Sequence, residues 1–256
     1  MSPWLPGLRL SIGTLSILRV QVDDADRATA GRAMACAPLV GAGIGGVAAV
    51  VGWAAQSYTD SPFIAAVAAV ATCAAATRAL HLDGLADVAD GLGSAKPRQQ
   101  ALDIMKQSDI GPFGVVTLLL VLLLQIACST AAYGHHRGGI AIVVAAITGR
   151  LAVTLACTPP VPSARPTGLG AWVAGSVPVR TAAIVAALSV AAAFGIGYLN
   201  GLPIAILSAL ACVIGAVCAV ALLRRCIARF GGITGDVLGS LVETGSAAAL
   251  LVLAIR

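Results

Sequence analysis

The sequence predicts an all-α fold, a polytopic membrane helix bundle of about seven transmembrane helices. Three observations carry that prediction. The chain is 59% hydrophobic and only 11% charged, with a mean hydropathy of +0.95, far from the soluble balance of roughly half apolar and about a quarter charged. Its apolar residues fall in runs close to the roughly 20 residues that a helix needs to cross a bilayer. The runs are also continuous: Val115 to Leu124 is apolar except for Thr117, whereas the strands of an outer-membrane barrel alternate polar and apolar over about 10 residues. The same composition excludes a water-soluble globule and a disordered chain. Seven cysteines in 256 residues, with no paired spacing, exclude a disulfide scaffold.

The whole chain, 1–256, reads as one integral membrane domain. Leu8 to Val20 is short and flanked by arginines, which suits an amphipathic helix on the membrane surface. The first span covers Ala33 to Trp53, too far in behind Arg9, Arg19, Arg27 and Arg32 for a cleaved secretory signal. Its Gly41, Gly45 and Gly46 form a small-residue face for helix packing. The second span, Pro62 to Leu80, runs straight into an acidic segment, and the third, Pro112 to Tyr133, holds the continuous apolar stretch. The fourth, Gly138 to Cys157, follows an interfacial His135-His136 pair and carries Arg150 inside the apolar run. The fifth and sixth, Thr181 to Leu199 and Gly201 to Leu223, stand between Arg180 and the Arg224-Arg225 pair. The seventh, Gly239 to Ile255, follows a second acidic patch and contains Glu243. Cys36, Cys73, Cys128, Cys157, Cys212 and Cys218 lie within spans and Cys226 beside one, as small buried thiols.

Orientation follows from the basic residues, because short cytoplasmic loops carry the excess of Lys and Arg. Numbering the connections alternately puts 13 of the 16 on one side: Arg9, Arg19, Arg27, Arg32, Arg78, Lys96, Arg98, Lys106, Arg165, Arg180, Arg224, Arg225 and Arg229. The other side holds Arg137 and Arg256, with Arg150 intramembrane. The N-terminus is therefore expected in the cytoplasm and the C-terminus outside. The net charge of +5 is mostly a topology label that also favours anionic headgroups, so the expected partner is the lipid bilayer and not nucleic acid.

The acids are the informative minority. Seven of the 11 cluster in two patches on the basic side: Asp83, Asp87, Asp90, Asp103 and Asp109, then Asp236 and Glu243. In His81-Leu82-Asp83-Gly84-Leu85-Ala86-Asp87-Val88-Ala89-Asp90-Gly91-Leu92-Gly93 the carboxylates stand at i, i+4 and i+7, one face of a helix. Three like charges at the membrane surface repel one another, so a cation is expected among them. All-oxygen ligands suit a hard ion such as Mg²⁺, which often shares its shell with substrate phosphates. Gly84, Gly91 and Gly93 supply close approach for a bulky group or backbone N–H groups for phosphate. Residues 81–111 are thus expected as a cytoplasmic Asp-rich catalytic loop.

The second patch, residues 224–238 and onward, repeats that logic in Gly231-Gly232-Ile233-Thr234-Gly235-Asp236, with Asp236 and Glu243 at i, i+7. Thr234 or Asp236 is placed to cap a helix, and Glu243, inside the membrane, calls for a metal or Arg150 as partner. Arg165 in Ser163-Ala164-Arg165-Pro166-Thr167-Gly168-Leu169-Gly170, with Lys106 and Arg150, is a candidate phosphate contact. His81 serves as a base or as a helix anchor. No dinucleotide fingerprint, phosphate loop or zinc motif occurs.

These strings resemble a known family. HLDGLADVADGLG, ALDIMKQSDIGPFG and GGITGDVLGSLVE, with LSILRV at Leu15 to Val20 and ARPTGLG at Ala164 to Gly170, resemble cobalamin synthase, the adenosylcobinamide-GDP ribazoletransferase family. One departure is Gln107-Ser108, where the family often has Asp-Ser, with Asp109 two places on. The resemblance implies a Mg²⁺-dependent enzyme of the prokaryotic inner (cell) membrane, multi-pass, working on the cytoplasmic side. It would join adenosylcobinamide-GDP to α-ribazole or its 5′-phosphate and release GMP. On this reading Asp83, Asp87 and Asp90 hold the metal, and Asp236 and Glu243 complete the catalytic set. His81, Gly84, Gly91, Lys106, Arg150, Arg165, Gly232 and Thr234 face the corrinoid-GDP and α-ribazole substrates.

Two other readings compete. A CDP-alcohol phosphotransferase also gathers Asp residues on a membrane helix, but its usual string places Ala-Arg after Asp-Gly, and here Leu85-Ala86-Asp87 follows. A cation transporter would hold its acids near the bilayer midplane, away from Lys96 and Arg98. Small-residue spans permit packing within one bundle or between protomers, which leaves a homo-oligomer open.

Overall fold

The computed structural model describes residues 3–20 and 25–255; Arg256, assigned above to the outer side, lies outside them. Among the described residues every regular element is a helix, and extended pairing is limited to one parallel bridge between Ser163 and Ile233. In chain order the helices are α1 (Trp4–Leu15), α2 (Arg27–Ala35), α3 (Ala37–Thr59), α4 (Pro62–Ala76), α5 (Leu80–Gly93) and α6 (Arg98–Ile104). They continue as α7 (Pro112–Gly134), α8 (Gly138–Ala156), α9 (Leu169–Val173), α10 (Val179–Tyr198), α11 (Leu202–Phe230) and α12 (Gly235–Leu253). Six of them, α3, α7, α8, α10, α11 and α12, are long and apolar enough to cross a membrane. The pair α4 and α5 passes together, bent by 86°, as a seventh.

The departures from expectation have local causes. Pro38, in the first turn of α3, has no N–H for an upstream turn, so the first span opens at Ala37, and 27–35 form a separate helix capped by Asp26. The N-terminal helix is Trp4–Leu15, not Leu8 to Val20, and it turns Gly7, Ser11 and Leu15 inward against α2 and α3. The second span stops at Ala76 because Arg78 and Ala79 adopt left-handed backbone angles, with φ of 54° and 55°. The Ala79 N–H reaches back to the Ala74 carbonyl at 2.7 Å, which closes α4, and α5 leaves in a new direction. Residues 81–111 are therefore largely helical, as α5 and α6, and not a loop. The last span starts four residues earlier than expected, so Asp236 belongs to the first turn of α12.

Lipid tails are as apolar as leucine, so membrane helices associate through close packing of small residues. A Cβ on Gly41 would come within 2.4 Å of the Ala146 carbonyl, and one on Gly45 within 2.9 Å of Ala146 and Val143, so this face holds α3 flush on α8. Gly46 meets nothing within 4 Å and faces away. The bundle centres on α8 and α12, whose spanning windows are 78% and 67% buried; α10 and α7, at 17% and 22%, form its lipid-facing rim. The bent helix α5 lies against α12 and α7. Gly84 permits this, because a Cβ there would sit 2.6 Å from the Asp236 carbonyl oxygen.

Candidate active site

That close crossing puts the two acidic patches side by side. Asp83 is exposed on α5, Asp87 half-buried one turn on, and Asp236 opposite them at the start of α12. Asp87 lies within electrostatic reach of Asp236, Asp83 and Asp90 and of one opposing charge, Arg165. The start of α12 is itself built by tertiary pairing. The Ile233 N–H donates to the Pro162 carbonyl at 2.9 Å and the Ala164 N–H to the Ile233 carbonyl at 3.0 Å. This clamp fastens the 158–168 segment to the turn before α12. Gly232 allows the crossing, since a Cβ would meet Pro162 O at 2.3 Å.

The clamp delivers Arg165 to the acids. One guanidinium nitrogen stands 3.8 Å from Asp236 Oδ2 and another donates to the Leu102 carbonyl at 2.6 Å, tying α6 to α12. Both side chains of the ion pair stay partly open, at 19% and 28% exposure. Thr234 caps α12, accepting from the Val237 N–H and donating to Asp236 Oδ2, each at 3.2 Å. The mouth thus combines three carboxylates, one arginine and the amino end of a 19-residue helix, a place where backbone N–H groups and the helix dipole favour an anion.

Four expected members, Asp90, His81, Glu243 and Arg150, are elsewhere. Asp90 is 7% exposed, and its two oxygens accept from the N–H groups of Gly111, at 2.8 Å, and Gly114, at 3.0 Å. It shares the helix face of Asp83 and Asp87, yet two turns on it caps the start of α7. His81 is 3% exposed, with Nδ1 3.4 Å from an Arg150 nitrogen, so it faces the interior and not the mouth. Glu243 lies seven residues, about 10 Å, deeper along α12 than Asp236; its Oε2 accepts from Gln125 Nε2 at 2.8 Å. Arg150, Glu243 and Gln125 line a cavity of about 40 Å³ in the bundle interior.

The remaining candidates are peripheral. Gly91 lets α5 pack on Met105 and Phe230. Lys106 is exposed just beyond α6. Gln125, which sequence reasoning passed over, is the one carboxamide in the third span; a polar side chain in a lipid-depth run is itself a signal that it has a partner. The N–H groups of Gly111 and Gly114 left no such signal.

Among the described residues no three His, Cys, Asp or Glu side chains converge closely enough to hold a metal unaided, and the three-aspartate cage expected on α5 is not assembled because Asp90 is spent on α7. Mg²⁺ demands less, since one or two carboxylates and the phosphates of a substrate commonly suffice. Asp83 and Asp87 with Asp236 opposite are acceptors of that kind, so the donor chemistry of the mouth fits the ion.

Comparison with known proteins gives a consistent result. Residues 7–254 match the family described as Cobalamin-5-phosphate synthase. The chain is similar to proteins named adenosylcobinamide-GDP ribazoletransferase: 47% identical to that of Frankia casuarinae, over 90% of this chain and 87% of the relative. It is 36% identical to that of a Nocardioides species over 97% and 98% of the two chains, and 38% identical to that of Pseudomonas aeruginosa over 88% and 87%. No solved structure matches significantly. Neither the CDP-alcohol phosphotransferase nor the transporter reading gains support. With a family match across nearly its full length and the multi-span helical fold described above, the chain belongs to the cobalamin-5-phosphate synthase family.

Proposed function

We propose that the chain joins adenosylcobinamide-GDP to α-ribazole or its 5′-phosphate and releases GMP, with the mouth between α5 and α12 as the reaction centre. The observation that carries this reading is the convergence of Asp83, Asp87 and Asp236 with Arg165 at the amino end of α12. An acceptor hydroxyl oxygen attacks the phosphorus linked to cobinamide. The new P–O bond forms as the diphosphate bond to GMP breaks, leaving charge on the departing phosphate. Such transfers depend mainly on positioning and on neutralising that charge.

Arg165 supplies a forked cation already oriented by the Leu102 carbonyl, able to turn from a 3.8 Å contact with Asp236 to substrate phosphate. The α12 N–H groups add fixed dipoles. We assign Asp83, Asp87 and Asp236 to Mg²⁺, with whichever carboxylate stays free taking the acceptor proton. When bound, the ion offsets charge on the diphosphate and on the leaving oxygen. His81, Arg150, Glu243 and Gln125 act as positioning residues that hold α5, α8, α12 and α7 in register beneath the mouth. The excess of basic residues on one side supports a cytoplasmic mouth and N-terminus.

The test is turnover by purified protein in detergent or liposomes, given the GDP-activated corrinoid and either form of α-ribazole. GMP and the joined corrinoid are expected in equal amounts. No product with either acceptor overturns the assignment.

A further inference from the structure

The lipid-facing side of α8, α10 and α11 carries a second, unrelated feature. The apolar run of α11 from Leu202 to Leu223 is 22 residues, about 33 Å at about 1.5 Å per residue, against roughly 30 Å of hydrocarbon. Arg224 and Arg225 therefore emerge at headgroup level. From that level a cleft of about 370 Å³ runs inward between the three helices. Leu151 and Cys212 form its buried floor, Val190 stands on the α10 wall, and Val213 and Val217, 44% and 62% exposed, form an open rim. Arg224 is the one charged side chain among the described residues that line it. From Cys212 to Arg224 is 12 residues, about 18 Å along the helix, close to the depth of one leaflet, about half of that hydrocarbon thickness.

Charge decides which occupant fits. No Asp or Glu occurs between Asp109 and Asp236, so α8, α10 and α11 contain none, while Arg180 opens α10 at the same end as Arg224. A second copy docked symmetrically on this face would set like charges against each other, since isologous contacts pair a patch with itself. A zwitterionic lipid balances its phosphate with its own headgroup cation and so leaves the charge of the guanidinium without net compensation. We propose that the cleft binds one anionic phospholipid, an acyl chain lying along Leu151, Cys212 and Val217 and a phosphate oxygen accepting from Arg224. None of the residues lining this site belongs to the mouth, and the proposal does not depend on the reaction assigned there.

The test is native mass spectrometry of the full chain equilibrated in micelles with equal phosphatidylglycerol and phosphatidylcholine. The wild type is expected to retain a single phosphatidylglycerol in preference. Arg224→Gln should lower that retention about five-fold, the worth of one basic residue near a headgroup, without changing the phosphatidylcholine signal. Val217→Trp, which fills the cleft from its exposed rim, should reduce retention of both lipids. Equal retention of the two lipids by the wild type, phosphatidylglycerol retention unchanged in Arg224→Gln, or a lipid-free dimer would overturn the proposal. Unaltered helical circular dichroism and elution volume identify folded variants, and Arg224→Gln alone decides if Val217→Trp fails to fold.

Discussion

Two polar clusters lie about two helical turns apart along α12, and they differ in how their charges balance. At the mouth, Asp83, Asp87 and Asp236 face one arginine, Arg165, whose ion pair is long at 3.8 Å and partly open. In the interior, Glu243 accepts from Gln125 at 2.8 Å and lies within electrostatic reach of one cation, Arg150, whose guanidinium stands 3.4 Å from His81 Nδ1. Both clusters contain a carboxylate from α12. The interior one sets one carboxylate against one buried cation, whereas the mouth keeps surplus negative charge and an arginine free to change partner. Uncompensated charge beside water marks where a cation and a phosphate belong, and compensated charge at membrane depth marks scaffold.

The sharpest way to break this comparison is to remove the surplus. Asp87→Asn and Asp236→Asn should each lower the rate of GMP release by about 10² to 10³-fold, the scale of losing one preorganised electrostatic group. Helix content and elution should be unchanged. Excess EDTA should stop the wild-type reaction and Mg²⁺ restore it; steady turnover in chelator would detach the acids from a metal.

Interior substitutions should register in stability instead. Arg150→Met leaves Glu243 without its cation and should cost about 3 kcal/mol in denaturant titrations, while Arg150→Met with Glu243→Gln should recover most of that loss. An additive double variant would mean that the pair does not act as a unit. Asp90 tests the boundary between the clusters. Asn keeps one of the two acceptor oxygens, so Asp90→Asn should keep at least tenfold more activity than Asp87→Asn, and Asp90→Ala should lose about 1 kcal/mol of stability with the cap. If Asp90→Asn is as inactive as Asp87→Asn, Asp90 belongs to the reaction centre. The smallest effect is expected at the edge of the mouth. Lys106→Ala should raise KM for the GDP-linked substrate about two- to five-fold at unchanged kcat, as suits an exposed charge.

Much of the site was legible in the chain because spacing on a single helix is a local property. Asp83 and Asp87 at i, i+4 share a face wherever α5 lies, and Thr234 caps α12 from three residues away. The same reasoning misplaced Asp90, since its partners are backbone N–H groups 21 and 24 residues on, which no side-chain pattern announces. His81 drew attention as an ionisable group next to acids, yet its direction depends on α8 lying behind it.

The sequence by itself determined that the chain is helical, crosses the membrane about seven times and gathers its acids in two patches. Those are consequences of run length, composition and helical period, which act over tens of residues at most. Only the tertiary structure decided which acids meet. The left-handed pair Arg78 and Ala79 turns α5 across the bundle, the missing Cβ of Gly84 lets it touch Asp236, and the Pro162–Ile233 clamp carries Arg165 to the same point. Contacts of that kind join segments about 70 to 150 residues apart, and they depend on backbone approach that a pattern of side chains does not encode.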